Sequence, residues 1–267
     1  MSSLGIIAGG GALPRKLVAA CKRDGRDYFV LGLDGQTDTE TQPHVWTKLG
    51  ATTEAINILK QNGVDTLVMA GYIRRPSLAD MRPDMRTLHV FLKLGRRALG
   101  DDGLLRAVAQ ELEKDGFKVI GAQEVEPALL AQEGVYGSKL PLPEHQTDIQ
   151  AGFTMAKELG RLDIGQAVVM QQGIVLGVEA IEGTDALLER CKKLRRKGRG
   201  GILVKTCKPQ QDKRLDLPTI GVRTVARAYE AGLEGIVVEA GASIVLDRAE
   251  VADAADKVGI FVLGMKS

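Results

Sequence analysis

A chain of 267 residues is long enough to bury one or two cores without disulfides or a structural metal. Its 36 basic and 34 acidic residues leave a formal net charge of +2, so the totals give no electrostatic case for a nucleic-acid binder or an acidic solvating tail. Any electrostatic specialisation must be local.

In chain order, residues 4–8 form a short apolar run that stops at Gly9, Gly10 and Gly11, after which Leu13, Leu17, Val18 and Cys21 recur at helical spacing as far as Gly25. The pattern predicts strand, glycine turn, helix. A second strand is expected over 28–33, a helix over 54–61 and a third strand over 66–70, ending at Gly71. Helices follow over 81–99 and 104–114, then a strand over 117–121. This alternation predicts an α/β fold with a Rossmann-like parallel sheet and right-handed crossovers over 1–130. Pro127, Gly134, Gly137, Pro141 and Pro143 mark 131–146 as a linker.

A second α/β domain is expected over 147–267. It has a helix over 146–159, strands over 166–170 and 174–179, a helix from Asp185, a strand over 202–205, a helix over 222–231, and strands over 235–239 and 260–263. No repeat of fixed period and no low-complexity tract is present. Cys21, Cys191 and Cys207 are odd in number and lack a C-x-x-C pair, which fits a reducing cytoplasm. The N-terminus has no basic segment with an apolar one behind it, and no stretch approaches the ~18 apolar residues of a membrane span, so a soluble chain is expected.

Two acidic groups carry the most chemistry. Glu179, Glu182, Thr184 and Asp185 gather at the end of one expected strand, and Asp216 stands between Leu215 and Leu217 ahead of Pro218, Thr219 and Gly221. Carboxylates and hydroxyls beside Gly or Pro are the usual presentation of hard oxygen ligands for Mg²⁺ next to a phosphate. Thr184 as a helix N-cap and Asp185 as a first-turn acid are the structural alternative. For Asp216 the alternative is a salt bridge to Lys205, Lys208, Lys213 or Arg214.

The glycines at 9–11 could cradle a nucleotide phosphate, but the dinucleotide fingerprint would need glycine where Pro14 stands. A tight turn is the other account of them. Asp34 reads as a loop aspartate. Tyr72, Arg74 and Arg75 follow the third strand, as a base-stacking ring and a diphosphate clamp or as a solvated turn. Asp101 and Asp102 read as a helix start. The basic run 190–199 sits at an expected helix C-terminus, where a solvated face competes with attraction to anionic lipid.

The three histidines, His44, His89 and His145, are scattered, and neither G-x-x-x-x-G-K-[ST] nor G-x-S-x-G occurs. A carboxylate-based Mg²⁺ site is what remains for hydrolysis, with Asp216 and either Glu182 or Asp185 as catalytic and metal-binding residues. Lys205, Lys208 and Arg214 would stabilise phosphoryl charge, and Gly9, Gly10, Gly11, Arg75, Thr184 and Thr219 complete the expected substrate-binding set.

Nearly end to end, the chain resembles the two-domain, metal-dependent UDP-2,3-diacylglucosamine pyrophosphatases of lipid A synthesis, unrelated to the calcineurin-like enzymes that do the same job. The likeness is carried by residues 5–14, Arg75 and Pro76, Gly100 to Asp102, 121–125, 160–166, 179–185 and 214–221. Residues 135–143 and 192–200 match only loosely. The resemblance implies a cytoplasmic Mg²⁺-dependent hydrolase that binds its lipid-linked sugar nucleotide between two domains. It implies water attack on the sugar-side phosphorus, release of UMP and 2,3-diacylglucosamine 1-phosphate, and Asp216 as the most sensitive acid. Peripheral contact with the cytoplasmic face of the inner membrane and, by base rate, a homodimer are the expected associations. A nucleotide-dependent oxidoreductase and a non-catalytic sugar-nucleotide sensor are the rival readings.

Overall fold

Short apolar runs punctuated by glycine become parallel strands in the first unit of the chain. The computed structural model describes residues 3–74, 83–94 and 101–267. By internal contacts the chain forms two units, residues 1–127 with 212–216, and residues 128–211 with 217–267.

The first unit runs β1 (Ser3–Ala8), α1 (Leu13–Arg23), β2 (Tyr28–Leu33), β3 (Val45–Thr47), α2 (Thr52–Gln61), β4 (Val64–Ala70), α3 (Met85–Leu94), α4 (Asp101–Lys114), β5 (Lys118–Ile120) and α5 (Ala122–Val125). Its sheet has the order β3-β2-β1-β4-β5 with every pair parallel. The Rossmann-like expectation therefore holds, with β3 added at an edge. Leu31, Leu59 and Leu67 are wholly buried, each worth about 1.5–3 kcal/mol of transfer free energy. Leu215 joins this core, which ties the 212–216 excursion to the first unit. In sequence the excursion lies within 147–267, the range expected for the second domain.

The second unit runs β6 (Gly134–Tyr136), α6 (Gln146–Arg161), β7 (Ala167–Gln171), β8 (Ile174–Val178), α7 (Gly183–Leu194), β9 (Gly201–Lys205), β10 (Thr219–Ile220), α8 (Val222–Glu230), β11 (Leu233–Glu239), β12 (Ile244–Val245), α9 (Arg248–Val258) and β13 (Phe261–Met265). Its main sheet has the order β6-β13-β11-β9-β7-β8. Strands β9, β11 and β13 are parallel, and β7 runs against both β9 and β8. The carboxyl ends of β8, β9 and β11 thus share one edge, and β10 and β12 form a separate parallel pair.

Alternation sorts the strand residues onto two faces. Ile202 and Val204 pack with Ile149 and Phe153 of α6, whereas Leu203 packs with Leu187 of α7, Val225 of α8 and Val251 of α9. The stretch expected as a linker supplies β6, antiparallel to β13. The sequence reading also missed α9, although its ends are marked: the Asp247 side chain accepts from the Glu250 amide, and Gly259 closes the helix at φ 72°. Among the described residues no helix is long and apolar enough to cross a membrane, and the three cysteines are buried and form no disulfide with one another.

Candidate functional site

Open parallel sheets present ligands at the carboxyl ends of their strands. At that edge of the second unit, β9 ends in Lys205, only 5% exposed. Its Nζ donates to Thr184 Oγ1 at 2.9 Å and to the Thr219 carbonyl at 3.2 Å. The Thr184 hydroxyl in turn donates to Glu179 Oε1 at 2.5 Å, and the Gln166 amide donates to Glu179 Oε2 at 3.2 Å. Glu179 is itself buried, so the hydroxyl bridges a cation and a carboxylate that would each be costly to bury unpaired.

The turn after β9 is held by a second polar group. Lys157 Nζ donates to both oxygens of Glu239 at 2.6 Å, the Cys207 amide donates to Glu239 Oε2 at 2.9 Å, and Lys157 also reaches the Cys207 carbonyl at 3.1 Å. Glu239 ends β11 as Lys205 ends β9. Sequence reasoning missed Glu239 and Lys157; a carboxylate closing an apolar run, the signal that marked Glu179, was available. In sequence between Lys205 and Cys207, the hydroxyl of Thr206, 1% exposed, has no hydrogen-bond partner among the described residues. Groups of that kind gather where a ligand or water completes the shell.

Three residues chosen from separate motifs, Thr184, Lys205 and Thr219, are therefore joined directly. Thr184 does not cap α7, which starts one residue earlier with Glu182 in the cap position; its hydroxyl serves Glu179 instead. Glu182 accepts from Arg190 at 2.7 Å, and hydrogen bonds from its own amide and from Arg190 hold its carboxyl below the usual range. Asp185 meets Arg223 at 3.3 Å, and Lys208 donates to Asp163 at 2.6 Å.

In the first unit Arg214 is engaged by Asp212 and Glu113, each at 2.7 Å through its terminal nitrogens. Asp216 lies in the same excursion, half-buried, with its amide donating to the Asp212 carbonyl at 3.4 Å. The glycine turn is hydrogen-bonded to its neighbours in the first unit. The amides of Gly9, Gly10 and Gly11 donate to the Ala70 carbonyl, the Tyr72 carbonyl and Asp38 Oδ2. A Cβ on Gly9 would stand 2.5 Å from the Tyr72 carbonyl oxygen, and one on Gly10 would stand 2.7 Å from the Tyr72 ring. These glycines admit a neighbouring strand end, and Pro14 sits in the first turn of α1. Arg75 lies outside the described residues, as do parts of the helix expected over 81–99.

Among the described residues no three His, Cys, Asp or Glu side chains are grouped to hold a metal ion. Magnesium does not require such a cage, since it keeps waters and is commonly held by one or two carboxylates plus substrate phosphates.

Comparison with known proteins matches the model of the LpxI N-terminal domain to residues 3–129 and that of the LpxI C-terminal domain to residues 132–263. The chain belongs to the LpxI family. One LpxI relative, the UDP-2,3-diacylglucosamine pyrophosphatase LpxI of Caulobacter vibrioides, is 44% identical over 274 aligned residues, spanning 99% of this chain and 98% of the relative. Among solved structures, N5-carboxyaminoimidazole ribonucleotide synthetase with ADP aligns at 16% identity and a TM-score of 0.26, over 72% of this chain and 44% of that one. The biotin carboxylase subunit of pyruvate carboxylase aligns at 13% and 0.25, over 63% and 35%. The chain spans less than half of either protein, and neither likeness informs the LpxI chemistry.

Proposed function

We propose that this chain hydrolyses the pyrophosphate bond of UDP-2,3-diacylglucosamine to UMP and 2,3-diacylglucosamine 1-phosphate, a step of lipid A synthesis. The observation that carries the activity is the whole-length identity of 44% to a pyrophosphatase of that name, with no domain of either chain left over. The Glu179, Thr184, Lys205 and Thr219 network supports a phosphoryl site in the second unit. Its ammonium is already desolvated and oriented, so it can meet charge growing on a phosphoryl oxygen with little reorganisation.

Within this reading Lys205 binds and neutralises the diphosphate, Thr184 fixes the direction of the ammonium, and Glu179 holds the Thr184 hydroxyl as donor. Asp216 is the acid proposed to act in the reaction. Mg²⁺ is the proposed cofactor, with Asp216, Asp185 and Glu182 as its candidate oxygen ligands. When bound, such an ion withdraws charge from the phosphoryl oxygens and orients water. Residence in the cytoplasm, peripheral contact with a membrane surface and assembly as a homodimer belong to the same proposal.

The test is incubation of the purified protein with UDP-2,3-diacylglucosamine and Mg²⁺, with and without chelator, following UMP by chromatography. Release of UMP that chelator abolishes is expected. Binding without UMP would make the chain a sensor, and UMP release unaffected by chelator would remove the metal.

A further inference from the structure

Residues 186–199 hold seven basic side chains and a single acid, Glu189. Two of the seven are occupied: Arg190 reaches Glu182 and the Val178 carbonyl, and Arg199 reaches Glu144. The other five, Lys192, Lys193, Arg195, Arg196 and Lys197, are exposed and form no ion pair among the described residues. A run of this kind on a loose loop would be an ordinary solvated surface. Here its backbone is fixed.

Gln171, wholly buried, accepts from the Arg196 amide at 2.9 Å and donates to the carbonyls of Arg196 at 3.1 Å and Arg199 at 2.6 Å. Gln172 donates to the Lys197 carbonyl at 3.2 Å. Both glutamines belong to the β7–β8 hairpin, whose turn takes positive φ at Gln172 and Gly173 and is clamped by Asp148, 1% exposed, accepting from both amides at 2.7 and 2.6 Å. The basic segment is thus tied to the hairpin through its backbone, with its side chains left to solvent. The same hairpin begins β8 with Ile174 and Val175, 46% and 36% exposed, and α7 ends in Leu194, 49% exposed.

We infer that this end of the second unit, the 192–197 segment with Ile174, Val175 and Leu194, is a docking surface for anionic lipid. Uncompensated cations around exposed aliphatic side chains are the composition that holds a protein on an anionic bilayer, each Lys or Arg near the surface strengthening binding about fivefold. The inference rests on the proposed function for its purpose. β8 is five residues long, so a chain docked here keeps the Glu179 end of that strand within about 17 Å of lipid headgroups.

The test is sedimentation of the full chain with vesicles of phosphatidylcholine alone or of phosphatidylcholine rich in phosphatidylglycerol. Wild-type protein is compared with a variant carrying Lys192→Gln, Lys193→Gln, Arg196→Gln and Lys197→Gln; Arg195 is retained because its guanidinium lies against Gly232. A second variant carries Ile174→Ser and Leu194→Ser. Thermal unfolding is run on all three, and UMP release from substrate in neutral detergent micelles is measured beside them. Wild-type protein should prefer the anionic vesicles, lose binding as salt rises, and bind at least ~100-fold more tightly than the glutamine variant. The serine variant should bind more weakly, and all three should unfold alike and release UMP alike in micelles. Equal binding of wild-type protein to both vesicle types, or undiminished binding by the glutamine variant, overturns the docking surface. So does salt-sensitive capture on heparin without vesicle binding. Absence of UMP from wild-type protein overturns the proposed function instead, and leaves the vesicle result to be read separately.

Discussion

Lys205 Nζ lies 2.9 Å from the Thr184 hydroxyl, so the last residue of β9 and the first turn of α7 meet in one partly buried hydrogen bond. The hydroxyl passes its own proton toward Glu179 at 2.5 Å, which leaves its lone pairs free to face the ammonium. The arrangement uses Thr184 as donor and acceptor at once, and a substitution can remove one role or both.

Thr184→Val removes both. It is expected to destabilise the protein by about 1–3 kcal/mol, because Glu179 and Lys205 are buried without their bridge, and to lower kcat. Thr184→Ser restores the hydroxyl and should recover most of both losses. Urea unfolding and steady-state kinetics on the pair check this; a serine variant no better than the valine one would show that the methyl group, and not the hydroxyl, matters.

Asp216→Asn keeps the shape of the side chain and removes its charge. Turnover is expected to fall at least ~100-fold, the scale seen when one polar group aimed at the transition state is lost, while the urea midpoint stays near that of wild-type protein. Turnover near normal would remove Asp216 from the reaction.

Arg214 is held by two carboxylates of the first unit. Its Nε and Nη2 donate to Asp212 at 3.0 and 2.7 Å and its Nη1 to Glu113 at 2.7 Å, and the Arg214 guanidinium holds the Asp212 carboxyl below its ordinary range. The side chain is 40% exposed, so solvent screening limits the gain to about 1 kcal/mol. Arg214→Met should lower stability by that amount with KM little changed. A raised KM at unchanged stability would return Arg214 to the substrate-binding set.

Asp84 accepts from the Thr87 amide and the Thr53 amide, each at 2.7 Å, at the start of α3. Burial pushes its carboxyl up, but those hydrogen bonds outweigh burial and hold it at about 2. An unfolded aspartate titrates near ~4, so the stabilisation is complete above that pH and is lost as pH falls through about 2. Asp84→Ala should cost about 1 kcal/mol at neutral pH, with the difference closing toward pH 2. A constant difference across that range would contradict the assignment.

The α/β alternation was legible because its apolar runs end at glycines and its longer helices are periodic. The strands β3, β6, β10 and β12 have two or three residues each, too few for a period to register. Helix α9 is rich in alanine and weakly amphipathic, and only its Asp247 and Gly259 ends announce it. Thr184, Lys205 and Thr219 could be picked out because each stands where a strand or turn ends. Their partners could not, since Lys157 and Glu239 lie 82 positions apart in sequence and meet only in the folded sheet. At the three glycines, 9–11, a sequence marks where backbone can approach closely without naming the neighbour, and in the structure Tyr72 lies against Gly9 and Gly10.

The most direct measurement is UMP release from UDP-2,3-diacylglucosamine by wild-type protein and by Lys205→Met side by side, with thermal unfolding of both. Wild-type protein should turn the substrate over, and the methionine variant, which keeps the volume but leaves Glu179 buried without its cation, should unfold at a lower temperature and, assayed where both are folded, be slower by roughly 100-fold or more. A methionine variant that is folded at the assay temperature and releases UMP at the wild-type rate would contradict the assignment of the reaction to this end of β9.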